Sequence, residues 1–470
     1  SDDGLLHITR DGGESWKAVT PRGLPNEIQI NSIEAHPFEP GGLYLAATAY
    51  KNDDFRPYLF KTTDYGRSWK EITDGIPDQQ FTRVIRSDSE RRGLLFAGTE
   101  GGVYVSFDDG ANWQPLQLNL PFVPVTDLAV KQGNLIAATQ GRGYWIFNDL
   151  AWLRQYENKV LDRAVHLFSP SPAWRLPNGV AENPGNRGTN PANGLVLYYW
   201  LKEPLTTKTA LGLVIHDLDG NRIRSFTRKP EKEDKETKPQ LSEDNRKLTA
   251  HAGLNAFEWD MRYPGVERFE KLVLWNDSLE GPKAVPGTYR ATLTVDGGQA
   301  QTVALEILPD PRVETSAADL QAQFDFTWDI NRKLTETHRA ITRIRDTRAQ
   351  LEALQERVEG QDQYRVLAEA ATDLNDRLTG IEETLYQTRL EAPQDPLNFP
   401  IRLNDKLAGV MRAASFGDHP PTRALVAVRN ELVTLIDAEL EKLDSLLDSD
   451  IASFNQAIHR EGLPAVAVTK

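Results

Sequence analysis

Thr9-Arg-Asp-Gly-Gly-Glu-Ser-Trp16 is the first of three copies of an eight-residue motif near the N-terminus. The second copy is Thr62-Thr-Asp-Tyr-Gly-Arg-Ser-Trp69, and the third is Ser106-Phe-Asp-Asp-Gly-Ala-Asn-Trp113. The three aspartates stand at positions 11, 64 and 108. Recurrence at roughly this period, on the order of 20 to 50 residues, indicates a repeat architecture in which one unit cannot bury its own hydrophobic face.

The motif has the composition of a structural turn. Its aspartate can accept hydrogen bonds from main-chain amides of the same turn, its glycine permits positive φ, and its tryptophan can bury a large ring between neighbouring sheets. The residues in these roles are Asp11, Gly13, Trp16, Asp64, Gly66, Trp69, Asp108, Gly110 and Trp113. The alternative is that an aspartate is a catalytic acid or base. Repetition favours the turn, because a catalytic group is needed once and a turn is needed in every unit.

The motif resembles the Asp-box, or bacterial neuraminidase repeat, of β-propellers such as sialidases, sortilin and two-propeller xyloglucanases. The segment from Ala138 to Asn148 resembles the terminal blade of large bacterial propeller proteins loosely described as glycosyl hydrolases. The resemblance implies a propeller fold but does not assign a reaction. The Arg-Ile-Pro motif of sialidases is absent, so that subfamily is not supported.

Residues 1–157 are predicted to form the last blades of such a propeller. Strand patterns give a leading half blade, two full blades and a final three-stranded blade. A closed propeller typically needs about four to eight blades. We therefore expect a missing N-terminal propeller part, or a companion chain, to complete the ring.

The best candidate for a binding site is the loop from Tyr50 to Pro57, because long irregular loops are often functional. It joins the second and third strands of its blade, on the face opposite the motif turns. The candidate binding residues on this face are Asp53, Asp54, Phe55, Arg56, Tyr58, Arg142 and Tyr144. Asp53 and Asp54 are weak catalytic candidates for a glycoside hydrolase whose second carboxylate lies elsewhere. The alternative is a solvated or cross-blade cluster of salt bridges.

Two further domains are predicted. Residues 158–312 contain short strands and hairpin turns that indicate a β-sandwich, and two segments resemble immunoglobulin-like accessory domains of exported bacterial proteins. The segment 231–247 is rich in charge and is expected to be a loop. Residues 313–470 carry helical stripes typical of an antiparallel bundle, which could also serve as a dimer seam.

Composition limits the partners. The formal net charge of −14 argues against nucleic acid, and zero cysteines exclude disulfides and thiol chemistry. No apolar run is long enough to cross a bilayer. His338 and His459 are read as packing or surface residues, so no metal is expected, and no cofactor motif appears.

The sequence leaves three functions open. The first is a non-catalytic, exported bacterial propeller scaffold that binds protein, peptide or glycan and is secreted, periplasmic or on the cell surface. The second is a glycoside hydrolase whose active site is shared with a missing propeller part. The third is a structural subunit of a larger assembly.

Overall fold

The computed structural model describes residues 1–177, 188, 190–206, 208–228, 248–275, 279–296 and 298–467. They form two compact units, Ser1–Asp162 and Arg163–Lys470. The predicted order, β-sheets first and helices last, is confirmed. The charged segment 231–247, predicted to be a loop, lies outside the described residues.

The N-terminal unit is a series of antiparallel sheets. Its strands are β1 (His7–Ile8), β2 (Lys17–Ala18), β3 (Gln29–Ala35), β4 (Leu43–Ala49), β5 (Asp54–Thr62), β6 (Lys70–Glu71), β7 (Thr82–Ser87), β8 (Leu95–Thr99), β9 (Val103–Ser106), β10 (Gln114–Pro115), β11 (Val125–Lys131), β12 (Asn134–Thr139) and β13 (Tyr144–Phe147). Short helices α1 (Ala151–Arg154) and α2 (Asn158–Leu161) follow. The sheets have the orders β1-β2, β3-β4-β5-β6, β7-β8-β9-β10 and β11-β12-β13. The two complete sheets are meanders with the strand order of propeller blades.

Alternation along β4 explains why successive sheets stack. Leu45 and Ala47 face a core that also contains Leu6, which precedes β1, and Val19, which follows β2. Ala46, between them, faces a second core that includes residues of the next sheet. Because side chains alternate across a strand, a strand that is apolar at consecutive positions must be covered on both faces. The sheet β3-β4-β5-β6 is thus packed between its two neighbours.

The three motif turns have one hydrogen-bond pattern. In the second, the Ser68 main-chain N–H and hydroxyl donate to the Asp64 carboxylate at 2.9 and 2.7 Å, and the Gly66 N–H donates to the Thr62 hydroxyl at 3.0 Å. The first and third turns repeat these contacts. Gly66 has a φ of +76°, in the left-handed region that favours glycine.

Each later motif rests on the sheet before it. The Trp69 indole N–H donates to the Val19 carbonyl at 2.8 Å, and the Trp113 indole N–H donates to the Ile72 carbonyl at 2.7 Å. Val19 and Ile72 occupy equivalent positions, each three residues after the tryptophan of the preceding motif. Trp113 is 5% exposed, whereas Trp16 of the first motif is 63% exposed.

The glycines follow the same rule. A Cβ added at Gly66 would lie 2.6 Å from a Val19 side-chain atom, and one added at Gly110 would lie 2.7 Å from an Ile72 side-chain atom. A Cβ at Gly13 would meet nothing within 4 Å. The second and third motifs therefore pack their glycine and tryptophan on one residue of the preceding sheet, and the first motif leaves that surface open.

The second unit begins with two sheets around one core. Its strands are β14 (Val165–Leu167), β15 (Ala173–Trp174), β16 (Leu195–Leu201), β17 (Leu211–His216), β18 (Arg222–Arg228), β19 (Gly253–Trp259), β20 (Gly287–Val295) and β21 (Gln301–Leu308). They form the sheets β14-β16-β19 and β15-β21-β20-β17-β18. Leu197 and Trp259 of the first sheet and Leu213 and Leu293 of the second belong to the same buried cluster.

Five helices follow the sheets. They are α3 (Ala317–Val358), α4 (Arg365–Leu385), α5 (Leu403–Ala414), α6 (Arg423–Ser445) and α7 (Ile451–Arg460). Ser316 caps α3, as its hydroxyl accepts from the Asp319 N–H. A π-helical segment, Leu446–Asp450, joins α6 to α7, and the backbone stays helical through both junctions. No helix among the described residues is long and apolar enough to cross a membrane.

We expect Trp113→Phe to lower the free energy of unfolding by about 2 kcal/mol, because the Ile72 carbonyl loses its donor and the smaller ring leaves space. Trp16→Phe is the matched control and should change it by no more than about 0.5 kcal/mol, as its ring is exposed. Urea denaturation of the full chain measures both. Equal effects of the two substitutions would contradict the role given to the indole–carbonyl bond.

Candidate ligand-binding face

The connection between β4 and β5 is partly regular. Tyr50–Asn52 forms a 3₁₀ turn that ends at Asp53, which has a left-handed φ of 58°. The sequence predicts a loop as far as Pro57, but β5 already begins at Asp54. The register shifts between the pairs Ala47–Tyr58 and Ala49–Asp54, so the extra residues form a bulge. A bulge accommodates Pro57, which has no N–H for the ladder.

Asp54, Arg56 and Tyr58 form one hydrogen-bonded group. Arg56 donates through Nε and one terminal nitrogen to both Asp54 oxygens, at 3.0 and 2.7 Å. The Tyr58 hydroxyl donates to Asp54 Oδ2 at 2.6 Å and accepts from Arg56 at 2.8 Å. These hydrogen bonds, that of Arg56 first, hold the pKa of Asp54 well below its usual range. Burial, with the bond to Asp54, raises the pKa of Tyr58 to about 12.

This arrangement limits the chemistry of Asp54. A general acid must hold a proton near the working pH, and a carboxylate with a strongly lowered pKa does not. Oδ1 accepts a bond from Arg56 Nε, and Oδ2 accepts bonds from Arg56 and from the Tyr58 hydroxyl. The group instead presents the Arg56 guanidinium, whose side chain is 61% exposed, as a fixed positive charge. The ion pair and both hydrogen-bonding side chains lie within one strand, β5.

Phe55 takes part in an aromatic cluster that sequence reasoning missed. Tyr50 stacks on Phe81 with ring centroids 4.9 Å apart, and Phe55 lies 6.1 Å from Phe81. The Arg83 guanidinium lies 4.9 Å from the centre of the Phe81 ring and pairs with Glu100 at 2.7 Å. Phe55 remains 41% exposed. The available signal was Phe81-Thr-Arg83, directly after the link between two sheets.

The same placement recurs one sheet further. Phe122, in the link before β11, is 78% exposed. A Cβ added at Gly101, in the turn between β8 and β9, would lie 2.4 Å from its ring. Phe81 and Phe122 thus each lie over the turn between the second and third strands of the preceding sheet.

Arg142 and Tyr144 lie on a different sheet from Asp54. Arg142 lies in the turn between β12 and β13, and Tyr144 is the first residue of β13. The Trp145 indole N–H donates to the Arg142 carbonyl at 3.1 Å. Tyr144 is 80% exposed. The fold therefore brings Asp54, Phe55, Arg56 and Tyr58 together, leaves Asp53 exposed beside them, and puts the other two candidates two sheets away.

The motif aspartates are held by their own turns. The hydroxyl and N–H of Ser15 lower the pKa of Asp11 to about 2, and the N–H and hydroxyl of Ser68 lower that of Asp64 to about 2. For Asp108, burial raises the pKa, but the bonds from Asn112 and Ser106 outweigh it and leave the pKa lowered. All three carboxylates therefore stay charged and bonded.

The opposite end of the sheets carries a second polar cluster. The buried Tyr44 hydroxyl donates to Asp109, which also pairs with Lys61, and Tyr44 stacks on His36 at 5.1 Å. Burial, with the bond to Asp109, raises the pKa of Tyr44, and burial lowers that of His36. Because Asp109 comes from the sheet after Tyr44 and Lys61, the cluster joins two sheets.

The histidine singled out in α3 is in the core. His338 is 1% exposed, and its Nδ1 lies 2.6 Å from the Glu267 carbonyl. Burial lowers its pKa to about 4, so the ring is neutral at physiological pH. Among the described residues no group of three or more His, Asp or Glu side chains is placed to hold a metal ion.

No protein-family model matches the chain, and neither does any curated protein. Similar solved structures include one described as YCF48 bound to D1 peptide, at 23% identity and TM-score 0.25 over 31% of this chain and 46% of that one. Another is the GH74 xyloglucanase from Xanthomonas campestris, at 21% identity and TM-score 0.26 over 32% of this chain and 24% of that one. A third is YCF48 from Cyanidioschyzon merolae, at 17% identity and TM-score 0.24 over 31% of this chain and 47% of that one. The chain thus spans less than half the length of each of these three.

We expect Arg56→Ala to raise the pKa of Asp54 toward the ordinary aspartate value of about 3.9, because the carboxylate loses its largest stabilising contact. The lowered pKa of Asp54 stabilises the fold at neutral pH and loses that effect as the pH falls through the folded-state value. Carboxyl-carbon NMR of chain labelled at aspartate measures the titration. Arg142→Ala is the control and should leave it unchanged; an unchanged titration in Arg56→Ala would contradict the assignment.

Proposed function

We propose that the N-terminal unit is part of an Asp-box β-propeller, sortilin-like or of the large bacterial glycosyl hydrolase BNR-repeat type, acting as a non-catalytic scaffold. It binds protein, peptide or glycan through the face that carries Phe55 and Arg56. The supporting observation is the aromatic and cationic cluster of Tyr50, Phe55 and Phe81 with Arg83. Aromatic rings and arginine are the side chains that dominate binding energy at protein surfaces.

The chemistry of the face suits recognition better than hydrolysis. The exposed Phe55 ring offers apolar area at low conformational cost, and fixed guanidinium groups suit carboxylate or hydroxyl groups of a ligand. A glycosidase needs one carboxylic acid with a raised pKa and a second carboxylate across the scissile bond. Asp54 has the opposite shift, which disfavours the hydrolase alternative at this loop.

The propeller is completed by further blades from a missing N-terminal part or a companion chain. Gly13 and Trp16 support this, since the equivalent residues of the other motifs each pack on a preceding sheet. The free side of β13 also supports it, because the complete sheets have a fourth strand and Tyr144 and Ile146 of β13 are exposed.

The proposal also covers the domain division of the chain and its assembly. We divide the chain into blades over 1–157, an immunoglobulin-like sandwich over 158–312 and a helical bundle over 313–470. An oligomer forms through the bundle, for which Val428 and Leu435, one heptad apart on α6 and both exposed, are the supporting feature. The protein is exported and is secreted, periplasmic or on the cell surface of a bacterium.

We expect Phe55→Ala to weaken binding at this face about tenfold, the effect of removing a central aromatic contact. The probes are a phage-displayed peptide library and a panel of xyloglucan oligosaccharides, with affinities of the selected binders measured by biolayer interferometry. Tyr65→Ala is the matched control. Tyr65 is 37% exposed against 41% for Phe55, and it follows the other end of β5.

Equal loss in both variants would contradict a site at the Phe55 end. Release of reducing sugar from the same oligosaccharides, abolished by Asp53→Asn or Asp54→Asn, would replace the scaffold proposal with the hydrolase. Assembly lost on deleting 313–470, with ligand binding intact, would assign the bundle the structural role.

A further inference from the structure

A cavity of about 370 Å³ lies in the second unit, between the five-stranded sheet and the helices. Its charged lining residues, among those that the structure describes, are Arg175, Arg262, Lys283 and Asp418. Arg175 comes directly after β15, and Asp418 follows α5. The lining also includes two phenylalanine rings, Phe324 and Phe416.

Two of the three cations are brought together by the main chain. Arg262 and Lys283 face each other as an isolated antiparallel bridge. Like charges directly opposite each other on paired segments destabilise the pairing. Glu280 pairs with Arg262 at 2.9 Å, yet it does not line the cavity. The fold therefore keeps two neighbouring cations beside a cavity in which Asp418 is the carboxylate among the described lining residues.

The third cation is fixed in place. Arg175 is 6% exposed, donates to the Ala284 carbonyl at 3.1 Å and pairs with Asp418. A further terminal nitrogen lies 3.4 Å from Gln323 Oε1. The Gln323 amide is itself held by the Ala414 and Gly417 carbonyls, at 2.9 and 2.7 Å. Such support leaves the guanidinium little freedom, so a ligand would meet a preorganised charge.

We propose that this cavity binds a small carboxylate ligand with an apolar, ring-sized body, whose carboxylate is held by Lys283 beside Arg175 and Arg262. The Lys283 ammonium donates to the Leu176 carbonyl, and its remaining N–H groups can serve the ligand. The inference concerns a site separate from the propeller-like face.

Lys283 is electrostatically under-compensated. Burial, followed by the charges of Arg262 and Arg175, lowers its pKa to about 8, while Asp418 and Asp260 act in the opposite direction. Burying an ammonium group beside two guanidinium groups is costly unless an anion compensates it. A bound carboxylate supplies that anion and would raise the pKa of Lys283 again.

The Phe324 and Phe416 rings would contact the apolar body of the ligand. Phe416 is 83% exposed, which is unusual for a ring of this size. Phe324 packs at 4.7 Å from Tyr263, so its ring is supported from behind. Pockets for small molecules typically combine apolar walls with a few placed polar groups, as this cavity does.

Calorimetric titration of the full chain with benzoate, benzamide and inorganic phosphate tests the proposal. We expect benzoate to bind, and benzamide, which has the same ring without the charge, to bind at least about tenfold more weakly. Lys283→Met should weaken benzoate binding by a similar factor. This substitution keeps the side-chain length and removes a buried charge, so the fold is expected to survive. Phe416→Ala, at an exposed position, should weaken benzoate binding but not phosphate binding.

Lys202→Met is the matched control. It makes the same charge change at an exposed lysine of the same unit that does not line the cavity, and it should leave benzoate binding unchanged. Benzoate affinity in the unaltered chain should also fall as the pH rises from about 7 to 9.5, because Lys283 loses its proton. Guanidinium and carboxylate groups, which include the other charged groups facing Lys283, keep their charges over this range.

Three outcomes would overturn the proposal. One is equal affinity for benzoate and benzamide, which would remove the role of the cations. Another is benzoate binding that is unaltered by Lys283→Met and by pH. The last is phosphate binding without benzoate binding, which would exclude an apolar-bodied ligand. The comparison of probes and the pH series need no variant, so the test remains decisive if Lys283→Met fails to fold.

Discussion

The bond from a motif tryptophan to a carbonyl of the preceding sheet is the contact on which the N-terminal unit depends. Trp69 and Trp113 each reach back to one main-chain oxygen, and the glycine of the same motif lies against the residue that owns it. A buried carbonyl without a donor costs about 1 to 3 kcal/mol, so the bond fixes the position of each sheet relative to the preceding one. Because the glycine has no Cβ, the turn can approach closely enough for the indole to reach. The geometry of the motif therefore sets the spacing between adjacent sheets.

This constraint divides the two ends of the sheets between structure and recognition. The motif turns occupy one end of the third strand, where their carboxylates are fully used by local bonds. The turns at the other end have no repeated hydrogen-bond pattern, and they differ in length and chemistry from sheet to sheet. There the chain places Phe55 beside Phe81, which directly precedes the first strand of the next sheet. The candidate face exists because adjacent sheets are held at a distance at which rings from one can stack on the other.

In the second unit, the neighbours of each buried basic side chain decide whether it carries a charge. His338 lies between Glu267 and Asn404 and is neutral, because burial disfavours the imidazolium more strongly than the Glu267 carbonyl favours it. Arg175 is buried charged, but with a carbonyl and a carboxylate as partners. Lys283 lies between these cases: it is partly buried, next to other cations, and stabilised by one carbonyl. That imbalance sets its cavity apart from the satisfied polar groups around it.

Local bonds could be predicted and distant ones could not. Sequence alone determined the motif turns, because the side-chain hydrogen bonds of Asp11, Asp64 and Asp108 join residues two or four positions apart. It also determined the strands and long helices through their apolar periods. It placed Asp54 and Arg56 in one loop and left open whether they bind a ligand or each other. Only the tertiary structure joined Phe81 to Tyr50 and Lys283 to Arg175, because main-chain pairing between distant segments brings these side chains together. Only the structure shows the π-helical winding after Ser445, since no proline or glycine marks it in the sequence. The repeated motif thus fixed the local geometry of the sheets, while the packing between sheets decided which side chains remain available for binding.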